Sequence, residues 1–185
     1  MSGFSLIEII ITSAILSFMV LGIYATLNVA DMAWNVDMGI LELQQEARQA
    51  LDGMAREIRQ AKPTDVTIGE GGTTVQFKVP IDITADPEVY SDTIKYSLNG
   101  CNQIIRKYPA SDMADCDACN ANTGPCKILG NDITALSFQC VGGVDCASSR
   151  ILQIQVRANK TVKGKPLSFP PSADNPFTEQ VRLRN

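Results

Sequence analysis

The 185-residue sequence contains no histidine. This absence removes the commonest general base and one of the commonest protein ligands of metal ions. The sequence also lacks a Gly-rich phosphate loop and a recognisable nucleophile motif, and no pair of carboxylates stands out for acid–base chemistry. We therefore expect that the protein is not an enzyme.

Positive charge is missing from the N-terminal region, since all 16 lysines and arginines lie at Arg48 or beyond. The formal net charge is −4 and the isoelectric point is near 4.8. Nucleic-acid-binding domains need a basic face, so this composition argues against a nucleic acid partner. The missing basic residues also leave the positive-inside rule without a signal for orientation.

Proline is absent before Pro63, and residues 3–30 hold only one charged side chain, that of Glu8. The next charged residue is Asp31. The 22 residues from Ile9 to Ala30 are mostly apolar, which is enough for a helix to cross a hydrocarbon core of about 30 Å. A secretory signal peptide is the competing interpretation, but the basic n-region is missing and the apolar run is too long.

Glu8 is unusual because it lies near the start of this apolar segment. Burying a carboxylate in a bilayer costs roughly 2.5 kcal/mol or more, so an unpaired acid there suggests a function. The alternative is that Glu8 is an ordinary flanking residue in the headgroup region.

Residues 3–8, GFSLIE, followed by a long uncharged helix, resemble the processing and methylation motif of type IV prepilins and type II secretion pseudopilins. In that family the prepilin peptidase cuts after the glycine, and the new N-terminal phenylalanine is N-methylated. The resemblance implies cleavage between Gly3 and Phe4, N-methylation of Phe4, and a role in assembly for Glu8. Residues 1–3 would then be a leader peptide, and residues 4–30 the transmembrane and assembly half of the helix.

The same helix is predicted to continue through residues 31–62, which contain no proline and are rich in good helix formers. Apolar residues recur there every three or four positions and form one stripe: Leu43, Ala47, Leu51, Met54, Ile58 and Ala61. We expect this amphipathic half to pack on a sheet and to end at Lys62, before Pro63. A helix from Phe4 to Lys62 is roughly 90 Å long.

Alternating patterns after the helix predict strands near residues 73–79, 93–98, 103–108, 133–140, 151–156 and 177–183. Asn99 and Gly100 favour a tight hairpin, and a loop with Gly142 and Gly143 joins another pair. Residues 163–176, rich in Pro, Lys and Ser, are predicted to be a surface loop. One long helix followed by antiparallel strands gives an α+β fold, with residues 63–185 as a β-rich, cysteine-containing domain.

The order of these elements is also similar to that of J-type minor pseudopilins and W-type minor pilins. The helix end Ala50–Ala61 and the terminal segment Val181–Asn185 carry this narrower resemblance. It implies a pilin-like fold and a minor subunit that acts in the initiation or at the tip of a type II secretion pseudopilus or type IV pilus. The implied partners are other minor subunits, the major subunit, the prepilin peptidase and the inner-membrane assembly platform. The protein would be a single-pass protein of the bacterial inner membrane with its C-terminal domain in the periplasm.

Six cysteines all lie beyond the apolar segment: Cys101, Cys116, Cys119, Cys126, Cys140 and Cys146. An even number confined to one side favours disulfides in an oxidising compartment. Cys140 and Cys146 flank a short loop and are the pair that we expect to be joined. Two alternatives remain open: a metal site, in which Cys101 completes the set formed by the three middle cysteines, and a redox pair at the C-x-x-C of residues 116–119.

Asp112, Asp115 and Asp117 lie in the same region, close to two asparagines. Clustered carboxylate and amide oxygens can bind Ca²⁺, although the spacing does not match an EF-hand and a solvated acidic loop is the alternative. We expect no other cofactor. A second hypothesis for the whole chain is a singly anchored periplasmic protein whose cysteine-stapled domain holds a ligand or metal.

Overall fold

A single helix of 53 residues, α1 (Leu6–Ile58), runs through the protein from its N-terminal region into the centre of a β-rich domain. The computed structural model describes residues 5–82, 84, 89–112, 116, 124–142, 145–172 and 175–184. The first half of α1 is exposed along its whole length, whereas the second half packs against two sheets. This division follows the change from an uncharged apolar segment to an amphipathic one.

The amphipathic half of α1 buries the predicted stripe. Leu43, Ala47, Leu51, Met54 and Ile58 are each at most 1% exposed. The helix ends at Ile58, four residues before the predicted end, because the chain tightens into a turn in which the amides of residues 60 and 61 bond to carbonyls three positions earlier. Lys62 is already extended, with ψ of 142°, as the following proline demands.

Eleven strands and one short helix follow α1 in the described part of the chain. In order they are β1 (Thr67–Gly69), β2 (Thr74–Phe77), β3 (Pro80–Asp82), β4 (Val89–Tyr90), β5 (Ile94–Leu98), β6 (Ile104–Lys107), β7 (Cys126–Gly130), β8 (Ile133–Cys140), α2 (Cys146–Ser149), β9 (Ile151–Val162), β10 (Lys165–Phe169) and β11 (Phe177–Arg182). Every described pairing is antiparallel. The predicted α+β class, one long helix and antiparallel sheets, is confirmed.

The strands form two main sheets and one small one. The first has the order β1-β2-β5-β6-β7, and the second is built around β9, which pairs with β8, β10 and β11. Strands β3 and β4 make a separate two-stranded ribbon. One apolar core lies between the second half of α1 and both sheets, and it includes Phe77, Tyr96, Ile154 and Val181.

All six predicted strands are present, but one predicted loop is wrong. Within residues 163–176, β10 pairs with β9, which itself continues to Val162. The turn between them consists of Lys163 and Gly164, whose φ values of 47° and 79° fit the twist of a tight hairpin. The Pro and Ser content of this segment concealed a strand whose partner, the end of β9, carries the β-branched pair Thr161 and Val162.

Candidate functional site

The first half of α1 is an uncovered apolar surface. Its most apolar 18-residue window has a mean hydropathy of 2.4, and none of that window is buried against the rest of the chain. Leu6 is 76% exposed and Phe18 is 75% exposed. Water-soluble surfaces rarely carry an apolar area of this extent. In the described part of the chain, α1 is the one helix that is long and apolar enough to span a membrane, which is consistent with a single-pass anchor.

Five uncharged polar side chains of this half-helix bond to its own backbone. Thr12 and Thr26 donate from their hydroxyls to carbonyls three or four residues earlier at 2.8–3.0 Å. Ser13 and Ser17 do the same at 2.9 and 2.8 Å, and Asn28 donates to the Tyr24 carbonyl at 3.0 Å. Such internal bonds make these polar residues compatible with lipid or with neighbouring apolar helices.

Glu8 is the exception on this surface. It lies in the first turn of α1, where its amide donates to the Ser5 carbonyl at 3.0 Å. A negative side chain at this position is stabilised by the positive end of the helix dipole. No side chain among the described residues bonds to the Glu8 carboxylate. A carboxylate so placed on an apolar helix is costly to bury without a partner, and it is chemically able to pair with a cation supplied by another molecule.

At the other end of α1, Glu57 clamps the helix to the first sheet. Its carboxylate accepts a hydrogen bond from the Tyr96 hydroxyl at 2.7 Å and from the Arg106 Nε at 2.9 Å. Burial of Tyr96, reinforced by the nearby Glu57 charge, raises the pKa of its phenol well above the usual value. Burial lowers the pKa of Arg106, but its bond and charge interaction with Glu57 outweigh that effect and raise it overall.

Two more acids on the same flank of α1 are held by the β-domain. Glu42 accepts a hydrogen bond from the Lys160 ammonium at 2.9 Å, and this bond raises the pKa of Lys160. Glu46 accepts one from the backbone amide of Asn131 at 2.8 Å. Sequence reasoning found the buried stripe but missed these attachments. The available signal was that Glu42, Glu46 and Glu57 flank the stripe on one side.

The described cysteines form disulfides. Cys116 is bonded to Cys126 with a Cα–Cα distance of 5.5 Å, and Cys140 to Cys146, as expected from the short loop, with a distance of 5.1 Å. Cys101 is also disulfide-bonded, and no cysteine in the described part of the chain is free. The Cys116–Cys126 bond excludes a redox pair between residues 116 and 119 and removes two thiolates from the alternative metal site.

Several predicted site residues lie outside the described residues: Gly3, Phe4, Asp115, Asp117 and Cys119. Asp112 is described, and its amide donates to the Pro109 carbonyl at 3.2 Å. The processing site and the Ca²⁺ loop therefore stay predictions. The described part of the chain contains no group of three or more Cys, Asp or Glu side chains placed to hold a metal ion.

The candidate site is thus the exposed apolar half of α1 with its single carboxylate, carried on a helix whose other half is fixed in the domain. It offers a large apolar area and a carboxylate that no side chain in the described part of the chain binds. No family model, curated protein or solved structure matches this chain.

Proposed function

We propose that the protein is a structural minor subunit of a membrane-rooted helical filament, either a type II secretion pseudopilus or a type IV pilus, and that it acts at initiation or at the tip. One observation carries the proposal. A continuous helix bears a single carboxylate on an uncovered apolar half and forms the core of a β-rich domain with its other half. The GFSLIE motif at residues 3–8 supports the same function.

The apolar half of α1 is suited to two environments in turn. Before assembly it lies in the inner membrane, with the disulfide-bonded domain in the oxidising periplasm. During assembly it leaves lipid for a bundle of similar helices. Both surroundings are apolar, so the hydrophobic effect favours neither strongly. Polar groups must therefore determine which helices pack together and at which position along the filament axis.

Glu8 is the polar group that determines the neighbour and its axial position. Cleavage after Gly3 gives Phe4 a free α-amino group, and the Glu8 carboxylate of one subunit pairs with that amine of its neighbour. The low dielectric of a helix bundle strengthens the attraction, and an unpaired partner there is strongly disfavoured. The pair thus selects the register between neighbouring subunits.

The attachment of α1 to the domain serves the same function. Glu42, Glu46 and Glu57 tie the helix to both sheets over its second half. A displacement of the helix therefore moves the domain with it. Once Glu8 fixes the height of the helix in the bundle, the height of the domain on the filament surface is fixed too, and with it the contacts to sister subunits or cargo.

Processing by the prepilin peptidase is the first test. The mature protein should begin at Phe4 and carry one added N-methyl group, because the motif of the family places the cut after Gly3. Intact-mass analysis of protein extracted from membranes that contain the peptidase measures this directly.

Substitution of Gly3 provides the control. Gly3→Ala should slow the cut and Gly3→Leu should stop it, because the motif has a glycine directly before the cut and a larger side chain departs further from it. A mature form that retains residues 1–3, or one that is cut near residue 25 as a signal peptide is, would contradict the proposed function.

A further inference from the structure

The turn of the β9–β10 hairpin lies beside the end of the apolar segment of α1. The Lys163 ammonium at the turn donates a hydrogen bond to the carboxylate of Asp31, the first charged residue after Glu8. The same bond holds the pKa of Asp31 below its usual value. A segment of the globular domain therefore reaches the level at which the helix becomes apolar.

Close packing fixes the hairpin at this position. Gly39 faces Val162 and Leu167, and a Cβ built on Gly39 would lie 2.9 Å from the Val162 Cγ2 and 2.8 Å from the Leu167 Cδ1. Only a glycine permits this approach between helix and hairpin. Since Gly39 is eight residues beyond Asp31, this contact lies about 12 Å along the helix axis from Asp31, and the Lys163 side chain extends from the docked hairpin towards the apolar segment.

The hairpin brings positive charge to a level where α1 has none. Residues 160–165 read KTVKGK, whereas the first basic residue of the helix, Arg48, lies 17 residues beyond Asp31, or about 26 Å along the axis. Lys165 is exposed, and Lys163 remains 47% exposed despite its bond to Asp31. Lys160 forms ion pairs with Glu42 and Asp132, farther from the apolar segment of α1.

Trp34 marks the same level on the helix. It is the only tryptophan of the chain, it lies three residues beyond Asp31, and it is 67% exposed. Tryptophan prefers the boundary between hydrocarbon and headgroups. The exposed acid Asp37 is six residues from Asp31, about 9 Å farther from the apolar segment, and it lies between Asp31 and the Gly39 contact along the helix axis.

We infer that the tip of the β9–β10 hairpin, residues 163–165, is a binding surface for the phosphate groups of anionic phospholipids in the bilayer that α1 enters. Lys165 and the free hydrogens of the Lys163 ammonium contact the phosphates, and the docked hairpin holds the domain directly on the membrane surface. This inference rests on the anchoring of α1 and not on filament assembly, so it stands or fails separately from the proposed function.

Lysine labelling tests this contact in the full-length chain. The protein is placed in neutral detergent micelles, in phosphatidylcholine vesicles, and in vesicles with one quarter phosphatidylglycerol. A membrane-impermeant amine reagent is added, and the labelling of Lys165 relative to Lys78 is read by mass spectrometry. Lys78 is exposed and directly follows β2, which pairs with β5. Strand β5 contacts Glu57, and Glu57 lies about 39 Å along α1 from Asp31, so Lys78 is far from the membrane end of the domain. Molecules whose domain faces the vesicle interior are labelled at neither lysine, so they do not change the ratio.

The Lys165/Lys78 ratio should fall at least about threefold from micelles to phosphatidylglycerol vesicles, and high salt should restore it, because the attraction is electrostatic. An equal ratio in micelles and in phosphatidylglycerol vesicles overturns the inference. A fall that is the same in both kinds of vesicle and insensitive to salt also overturns it, since it shows proximity without recognition of charge.

Two further measurements test whether the protection of Lys165 arises from contact of the hairpin with anionic lipid. Lys165→Glu should raise the labelling of Lys163 in phosphatidylglycerol vesicles about twofold or more, while Lys78→Glu should leave it unchanged; equal effects of the two variants would contradict the assignment. Quenching of Trp34 by a lipid with a headgroup-level quencher reports the depth of the helix. Quenched Trp34 with an unprotected Lys165 refutes the hairpin contact and leaves the anchor intact.

Discussion

At the scale of residues, the four described glutamates that bear on the function of α1 have opposite environments. Glu42, Glu46 and Glu57 each accept a hydrogen bond from the β-domain, whereas Glu8 has no partner among the described residues. Charge-assisted hydrogen bonds of this kind stabilise a fold by about 1.5–3 kcal/mol when they are shielded from water. The Glu57 side chain is 35% exposed, so its bonds are partly shielded, whereas Glu42 is 56% exposed and contributes less. Glu8 differs from all three because no described residue pairs with it.

The Glu57 clamp yields a prediction about stability. Glu57→Gln should lower the free energy of unfolding by about 1–2 kcal/mol, because Arg106 loses its ionic partner while partial exposure screens the loss. Asp52→Asn, an exposed acid-to-amide change on the same helix, should stay within about 0.5 kcal/mol of wild type. Urea unfolding of the detergent-solubilised protein measures both, and equal stabilities of the two variants would contradict the clamp.

The residues of this clamp also show what sequence can and cannot predict. The buried stripe of α1 follows from a spacing of three and four residues, which is local information. The partners of Glu57 lie 39 and 49 residues away, on different strands, so their contact depends on the sheet order rather than on any local pattern. Glu8, in contrast, is recognisable from the sequence alone because it is a lone charge in an apolar run.

At the scale of elements, α1 crosses three glycines without a break, and their surroundings differ. A Cβ on Gly53 would meet nothing within 4 Å, whereas one on Gly39 would lie under 3 Å from the hairpin. Glycine in a helix costs about 0.5–1 kcal/mol relative to alanine. At Gly53 that cost has no compensating contact, while at Gly39 it allows the helix and the hairpin to approach closely.

The two glycines make a matched pair of substitutions. Gly53→Ala should raise the free energy of unfolding by about 0.5–1 kcal/mol through helix propensity alone. Gly39→Ala should instead lower it, because overpacking against Val162 typically costs about 1–3 kcal/mol and exceeds the propensity gain. Urea unfolding checks both variants, and a stabilised Gly39→Ala protein would show that the hairpin is not packed on the helix.

The hairpin also illustrates why one element escaped prediction. Strand β10 contains Pro166, and the segment that follows it is rich in Pro and Ser, which by local chemistry favours a loop. The strand forms because β9 extends six residues beyond its predicted end and offers an edge to pair with. Its position against Gly39 is then set by tertiary packing, which single-sequence patterns do not encode.

At the scale of the whole molecule, α1 joins two regions with different surroundings. Its second half is fixed in a disulfide-bonded domain, and its first half is an apolar surface that needs lipid or other helices to cover it. Because the helix is continuous from Leu6 to Ile58, an interaction at Glu8 determines where the domain stands. In the mechanism that we propose, Glu8 pairs with the amine of a neighbouring subunit during assembly.

The most direct test is co-immunoprecipitation of sister subunits with wild-type protein and with Glu8→Gln protein at equal membrane levels. The variant should insert, be cleaved and fold normally, since removing a charge eases insertion. Its association with sister subunits should fall roughly a hundredfold, because stranding one partner of a buried ion pair costs about 3 kcal/mol or more. Asp37→Asn, an exposed acid outside the apolar segment, should leave association unchanged. If Glu8→Gln protein recovers its partners and supports filaments as well as wild type does, Glu8 is only an interfacial flank and the assembly mechanism is wrong.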